Sequence, residues 1–351
     1  MRFHLLAPPN TQTTRAYSLD GFTSATINFA RILKSLGHYV ILYGSEDCDA
    51  PCDVFESCIS RRRQKELLEG SPYQYAGFDN RHRLWSEANE RATQVIGSLK
   101  KPRDFICTIG GVSQKSIADA HPDLMAVEYS IGYEGCYSKF RVFQSEAWRN
   151  TMQGRLSQVR GRFFDAVIPY FFDPTEFEFN RTKEPFLLYV GRLTSAKGIG
   201  IACQTAEAAG MDLKVIGHGD ESLLTGNRIE FLGAISREER NEWMGRAQAI
   251  IAPTQYIEPF GSVVVEAALT GTPAITTDFG AFTETVEQGV TGFRCNVLGD
   301  FVRAAEHVKF LNPGMIRARA CVKYSLDAAA IAYRDYFNRL MTLWDAGWNT
   351  L

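Results

Sequence analysis

Two short segments of the 351-residue chain hold side chains whose type and spacing suit the binding of a polyanion. The first is Gly191-Arg192-Leu193-Thr194-Ser195-Ala196-Lys197-Gly198, which follows an apolar run ending at Val190. A glycine there lets the backbone turn tightly, and Arg192 and Lys197 then emerge five positions apart on a loop that opens a helix. Two cations beside a helix N-terminus, where free amides and the helix dipole both favour negative charge, make an anion site suited to a diphosphate. The spacing alone is met equally well by two solvated surface charges.

The second segment is Ile257-Glu258-Pro259-Phe260-Gly261-Ser262-Val263-Val264-Val265-Glu266. Pro and Gly fix the loop, the amides after Gly261 head a helix, and Glu266 falls one turn beyond Ser262 on the same face. Glu258 and Glu266 either border one pocket or serve only as acids well placed near a helix start. Asp47-Cys48-Asp49 has the form Asp-x-Asp, yet hard divalent cations need more oxygen ligands than one loop offers, and Asp is common in turns. No metal and no other cofactor is expected.

Both segments must be positioned by strands. Short apolar runs, each closed by Gly, Pro or a small polar residue and followed by a helical period, recur along the chain. They predict strands at 3–7, 39–43, 105–109, 124–129 and 166–168, and again at 186–190, 213–216, 229–232, 249–252 and 274–276. Helices are expected at 24–36, closed by Gly37; from a capping box at Ser236 and Glu239 to about 248; and from 262 to Gly271, with Pro273 beyond. This strand-helix alternation predicts an α/β protein of two doubly wound, Rossmann-like domains facing a central cleft at the carboxyl ends of their strands. The expected boundaries are 1–168, a connecting segment 169–185, 186–325, and a last helix in 326–351 that packs back towards the first domain. In that helix Tyr336, Phe337, Leu340, Met341 and Trp344 recur at helical spacing, a core-packing pattern.

Composition narrows the partners. Apolar residues make up 45% and charged residues 22%, ordinary globular values, and the formal net charge of -2 lacks the basic excess of a non-specific nucleic-acid binder. The cluster Arg61, Arg62, Arg63, Lys65, Arg81 and Arg83 reads as a solvated face. No run approaches the ~20 apolar residues that span a bilayer, and eight scattered cysteines without a Cys-x-x-Cys pair suit reduced thiols, so a cytoplasmic protein is expected.

In their order and spacing these segments resemble glycosyltransferase family 4, retaining group 1 glycosyltransferases of GT-B fold. The resemblance rests on Gly191 to Gly198, on Glu258 and Glu266 with Pro-Phe-Gly between, on Gly271-Thr272-Pro273, and on the stretches 280–286 and 289–293. It implies that Arg192 and Lys197 grip a donor diphosphate after Gly191, and that Glu258 with the Phe260 and Gly261 amides holds the transferred sugar. It also implies that Glu266, beside Ser262, takes the ribose, and that Gly217, His218 and Ile229 lie by the base. Gly21 and Phe22, in Asp20-Gly21-Phe22-Thr23, would bring backbone amides to the donor phosphates, with one glycine where two are common. Where many members carry a histidine, this chain has Val127-Glu128-Tyr129-Ser130. Glu128, with Tyr133 and Glu134, is the candidate for the acceptor side.

The activity so implied is metal-independent transfer of a hexose from a nucleotide-diphosphate sugar to a hydroxyl acceptor of one of four classes: glycan, lipid, metabolite or modified DNA base. A nucleotide-sugar epimerase or hydrolase of the same fold, or a non-catalytic nucleotide-sugar-binding protein, fits the same residues.

Overall fold

The computed structural model describes residues 1–17, 20–68 and 81–346, with side chains to 343. Its chain divides into two compact units. The first comprises Met1–Gln144, Met152–Phe171 and Leu326–Leu351; the second comprises Ser145–Thr151 and Phe172–Ser325. Each is built on one all-parallel sheet.

The strands of the first unit are β1 (Arg2–Leu6), β2 (Tyr39–Ser45), β3 (Val54–Ile59), β4 (Phe105–Thr108), β5 (Met125–Ile131), β6 (Phe140–Phe143) and β7 (Ala166–Val167). They lie in the order β3-β2-β1-β4-β5-β6-β7. The helix Gly21–Ser35 follows β1, capped by Asp20, and ends at Leu36, with Gly37 at φ 73° where the chain turns out of it. It therefore starts three residues before the expected position. The last helix, Leu326–Ala346, packs inside this unit: Tyr333 meets Phe29 at 4.7 Å between ring centroids, and Phe337 meets Phe3 at 4.8 Å and Phe105 at 5.0 Å. Leu340 is fully buried there, whereas Trp344 lies outside the described side chains.

The strands of the second unit are β8 (Glu184–Val190), β9 (Asp212–Ile216), β10 (Ile229–Gly233), β11 (Ala247–Ala252), β12 (Ala274–Thr277) and β13 (Gly292–Cys295), in the order β10-β9-β8-β11-β12-β13. Alternate residues of β8 serve opposite faces. Leu187 and Tyr189 join a core with the helix Ile199–Ala209, while Phe186 and Leu188 join a core with the helix Ser262–Leu269. Burial on both faces is what makes these strands read as continuous apolar runs.

The chain builds outward from β8 through β9 and β10, then crosses to build β11, β12 and β13 on the other side. That reversal leaves the carboxyl ends of β8 and β11 as neighbours, with Leu188 in register with Ile250, and their outgoing loops diverge. Open parallel sheets bind ligands at such a switch point.

Three strands depart from the sequence-based expectation. β3 is broken by Glu56 and Ser57, and the four-residue β6 and β13 carry Arg141 and Arg294, so no apolar run marks them. Nor is 169–185 a free connection. From Phe172 onward it is tied to the second unit: Phe172 N–H donates to Tyr324 O, Asn180 N–H to Thr270 O, and Lys183 Nζ to Gly245 O at 2.8 Å and Thr272 Oγ1 at 2.7 Å. Residues 145–151 also join that unit, through Ser145 Oγ donating to Pro259 O at 2.6 Å and the Glu284 carboxylate accepting from the Glu146 and Ala147 amides. Among the described residues no helix is long and apolar enough to cross a membrane.

Candidate active site

At the end of β8 the chain turns at Gly191, whose amide donates to Ile216 O, and Leu193 N–H reaches His218 O at 2.8 Å. The Gly217-His218-Gly219 segment thus runs beside the Gly191–Gly198 motif. The glycines are required by this approach: a Cβ at Gly217 would sit 1.9 Å from Gly191 O, and one at Gly219 2.6 Å from Leu193 O. His218 is exposed between them. Tyr189 Oη donates to Arg192 O at 2.8 Å and pins the backbone of the turn, leaving the Arg192 side chain exposed, with no carboxylate at ion-pair distance among the described residues.

Thr194 caps the short turn Ser195–Lys197, and Gly198, at φ 75°, passes the chain into the helix Ile199–Ala209. A side chain at 198 would collide with Pro253 O at 2.0 Å, so the loops after β8 and β11 touch backbone to backbone. Gln255 N–H donates to Ala196 O across the same contact.

That approach joins the two motifs. Lys197 Nζ donates to Glu258 Oε2 at 2.6 Å and lies 5.0 Å from the ring centre of Tyr256. Burial alone would lower the pKa of this ammonium, but the Glu258 carboxylate and Tyr256 hold it above the ordinary lysine value, and it stays charged. Burial, with the Glu258 charge, raises the Tyr256 phenol and keeps it a neutral hydrogen-bonding group. Sequence spacing gave no sign of Tyr256, because its role depends on a lysine 59 positions earlier that only the parallel sheet brings near.

Glu258 is itself fixed by its backbone: Ala281 N–H donates to Glu258 O at 3.1 Å, and a Cβ at Gly280 would press within 2.8 Å of the Glu258 nitrogen. Phe260 is buried, and Gly261, at φ 80°, packs against Phe282 so closely that a Cβ would meet its ring at 2.5 Å. This left-handed residue starts the helix Ser262–Leu269, whose N-terminus has no side-chain cap. Its first amides are therefore open to an acceptor from outside the chain.

Glu266 lies one turn along that helix and pairs with Arg240 at 3.1 Å, each side chain 14% exposed. Arg240, on the helix Arg237–Arg246 opened by the expected capping box, is a second residue that sequence reasoning missed. Ile229 corrects the expectation in the other direction. As the first residue of β10 it sits at the amino end of a parallel strand, packed on the core, and the loops at issue leave the carboxyl ends.

The expected residues of the first unit are arranged differently. Gly21 and Phe22 form the first helical turn rather than a loop, and the Thr23 amide and hydroxyl both donate to Asp20 Oδ1 at 2.8 Å. An acid already answers this helix start. Glu128 does not face solvent: it is fully buried and accepts from the Tyr137 and Ser138 amides, each at 2.7 Å, and from Tyr133 Oη at 3.2 Å. Burial pushes its carboxyl up to about 7, against the opposing pull of those donors. It ties the 133–138 segment to β5. Tyr133 is buried beside Phe22, 5.8 Å between ring centroids, whereas Glu134 is exposed and pairs with Arg155. Asp47 accepts from Arg61, and Asp49 from the Arg15 amide at 2.9 Å, so both acids of the Asp-x-Asp sequence serve the loop.

Comparison with known proteins bears on the family and the fold. Residues 173–312 match the family described as glycosyl transferases group 1. The chain is 32% identical over 116 residues to a phosphatidyl-myo-inositol mannosyltransferase of Propionibacterium freudenreichii, covering 31% of this chain and 30% of that protein. It is 35% identical over 129 residues to a glycogen synthase of Mycobacterium tuberculosis, covering 33% and 31%. The aligned part is thus about a third of these curated relatives. The fold as a whole is that of solved glycosyltransferases. AviGT4, involved in avilamycin A biosynthesis, superposes with a TM-score of 0.68 at 18% identity over 97% of this chain and 98% of its own. Anabaena HepE in complex with UDP and glucose gives 0.61 at 16% identity, over 97% and 100%.

Proposed function

We propose that the protein is a retaining glycosyltransferase that moves a hexose from a nucleotide-diphosphate sugar to a hydroxyl acceptor without a metal ion. The observation that carries this reading is the meeting of Lys197 and Glu258 at 2.6 Å beside the uncapped start of the helix Ser262–Leu269. A charged ammonium, the exposed guanidinium of Arg192 and a set of open amides answer a diphosphate. A carboxylate in the same spot answers sugar hydroxyls. The relatives named as mannosyltransferase and glycogen synthase support the activity, and HepE, solved with UDP and glucose, supports a nucleotide-sugar donor.

In the reaction the bond from the sugar anomeric carbon to the donor phosphate oxygen breaks, and the acceptor oxygen bonds to that carbon from the same face. The acceptor proton passes to the departing phosphate oxygen, and a nucleoside diphosphate leaves. Arg192, Lys197 and the helix amides meet the charge that grows on that diphosphate. Glu258 holds the sugar, and while no donor is bound it keeps Lys197 in place. Glu266, held by Arg240, takes the ribose hydroxyls. The acceptor is a glycan, lipid, metabolite or nucleic-acid hydroxyl, reached from the cytoplasm.

The test is turnover of a panel of nucleotide sugars by chelator-treated protein, with glycosylated acceptor and free nucleoside diphosphate both quantified. Arg192→Ala, Lys197→Ala and Glu258→Ala should each lower turnover about a hundred- to a thousandfold. Near-normal rates in two of the three, dependence on added magnesium or manganese, or nucleotide release without an acceptor would each overturn the reading.

A further inference from the structure

The segment 147–164 of the chain contains Arg149, Arg155, Arg160 and Arg162 and no acidic residue. Its second half forms a tip on the first unit where apolar side chains stand in solvent: Val159 is 90% exposed and Phe163 76%, with Leu156 partly exposed beside them. Single exposed apolar residues are ordinary, but three within eight positions, two of them almost bare, mark a surface that is covered by something.

The tip is not a loose loop. Gln158 N–H donates to Gln153 O and Gly161 N–H to Gln158 O, and the chain turns through Ser157 at φ 55° and Gly161 at φ 66°. Beneath it Arg141 donates to both oxygens of Asp165, at 2.8 and 2.6 Å, and to Gln158 Oε1 at 2.7 Å. Arg141 and Asp165 are each 1% exposed, so a buried ion pair between β6 and the residue after the segment also holds Gln158 within the tip. Phe164 turns inward against Phe140 while Phe163 stays out.

Cations surround the apolar tip. Arg160 and Lys139 are exposed, Arg162 reaches Ser138 O at 3.1 Å, and Arg339 lies over the ring of Phe164. Arg155 pairs with Glu134, and Arg149, further from the tip, with Glu146. A rigid apolar tip inside a basic rim fits an interface whose charge is negative and whose interior is apolar. A nucleic-acid backbone would answer the arginines but leave Val159 bare. An anionic bilayer answers both, taking Val159 and Phe163 below its headgroups while the guanidinium groups stay at the phosphates. We propose that the 156–163 tip docks the protein peripherally on membranes rich in anionic lipid.

The experiment is co-sedimentation of the full chain, without donor or acceptor, with vesicles of phosphatidylcholine alone or mixed with phosphatidylglycerol. The unmodified protein should pellet with the mixed vesicles, far less with the neutral ones, and progressively less as salt is raised. Val159→Ser with Phe163→Ser in one chain should weaken binding at least about tenfold, and Arg160→Glu should do so by a similar factor. Both alter exposed side chains, and an unchanged thermal midpoint shows that the fold is kept. The proposal is overturned if the unmodified protein does not bind anionic vesicles, or if the double variant binds as well as the parent. It is equally overturned if the tip variants leave vesicle binding intact while abolishing binding to duplex DNA or self-association. Because turnover is not read, the outcome stands apart from that of the proposed transferase activity.

Discussion

Two helix starts, one in each unit, treat their positive ends in opposite ways. At Gly21–Ser35 the Asp20 carboxylate takes the Thr23 amide and hydroxyl, so the helix dipole is answered inside the chain. At Ser262–Leu269 no side chain caps, and the left-handed Gly261 leaves no Cβ in the way. The same division runs through the cations. Arg61, Arg62, Arg63, Arg83 and Arg141 each meet a carboxylate that does nothing but hold structure. Arg192 meets none among the described residues, and the acid paired with Lys197 is itself a candidate ligand group. A charge whose partner is built in serves the fold. A charge or amide left open at a sheet's switch point is held for a ligand, since an unmet polar group lowers stability unless something else meets it.

The largest effects should separate these two kinds of charge. Replacing Arg141 with leucine leaves Asp165 a buried acid without its cation, answered among the described residues only by the Gln153 amide at 2.9 Å, and should lower the unfolding free energy by about 3–5 kcal/mol, read from urea denaturation. Lys197→Ala, which removes a partly solvated ammonium from the proposed donor site, should change it by no more than about 1 kcal/mol. Its loss should appear in turnover instead. Equal destabilisation by the two substitutions would erase the distinction.

A middle-sized effect lies within the first unit and depends on pH. Burial raises Glu128 from 4.5 to about 7, so its share of stability is full below pH 4.5 and is lost as pH rises through 7. Burial, with the nearby N-terminal amine, lowers His38 from 6.5 to about 4, so its share is present above pH 6.5 and is lost as pH falls through 4. Relative to the unmodified protein, the deficit of Glu128→Gln should therefore shrink by about 2–3 kcal/mol as pH rises across that window. For His38→Gln the deficit should shrink in the other direction, as pH falls, by about 1 kcal/mol because the ring is only half-buried. Denaturation midpoints across the range read both, and parallel trends would show that Glu128 is not the buried, proton-holding tie described above.

Why one unit was more legible than the other follows from the same contrast. Strands buried on both faces, such as β8 and β11, announce themselves as apolar runs, and the glycines after them mark where backbones touch, as at Gly191 and Gly198. The doubly wound folds and the two loops proposed to meet the donor were therefore readable as a strand-helix alternation and its breaks. Strand β6 was hidden because its Arg141 is neutralised by an acid 24 positions later, a pairing that no local pattern reveals. Glu128 was expected on the acceptor side because it stands where many members of the resembled family carry a histidine, and nothing local shows that three donors from the 133–138 segment bury it instead. Spacing pointed to Lys197 and Glu258 separately but not to their contact, which spans 61 positions and exists only because β8 and β11 are neighbours.

The smallest effect tests whether Arg240 belongs with the structural charges or with the ligand-facing ones. It pairs with Glu266 at 3.1 Å, and both side chains are almost equally shielded, so Arg240 sets the direction of a carboxylate expected to meet the donor ribose. A residue that acts through another in this way changes how well the donor is held, not how fast the bond breaks. Arg240→Leu should therefore raise the donor KM about three- to tenfold and leave kcat within about twofold, with Arg240→Lys recovering part of the loss. If Arg240 only tied two helices together, the leucine would lower stability with KM and kcat unchanged. The pair would then join Arg141 and Asp165 on the structural side, and the carboxylate that faces the ribose would have to be sought elsewhere on the loops after β8 and β11.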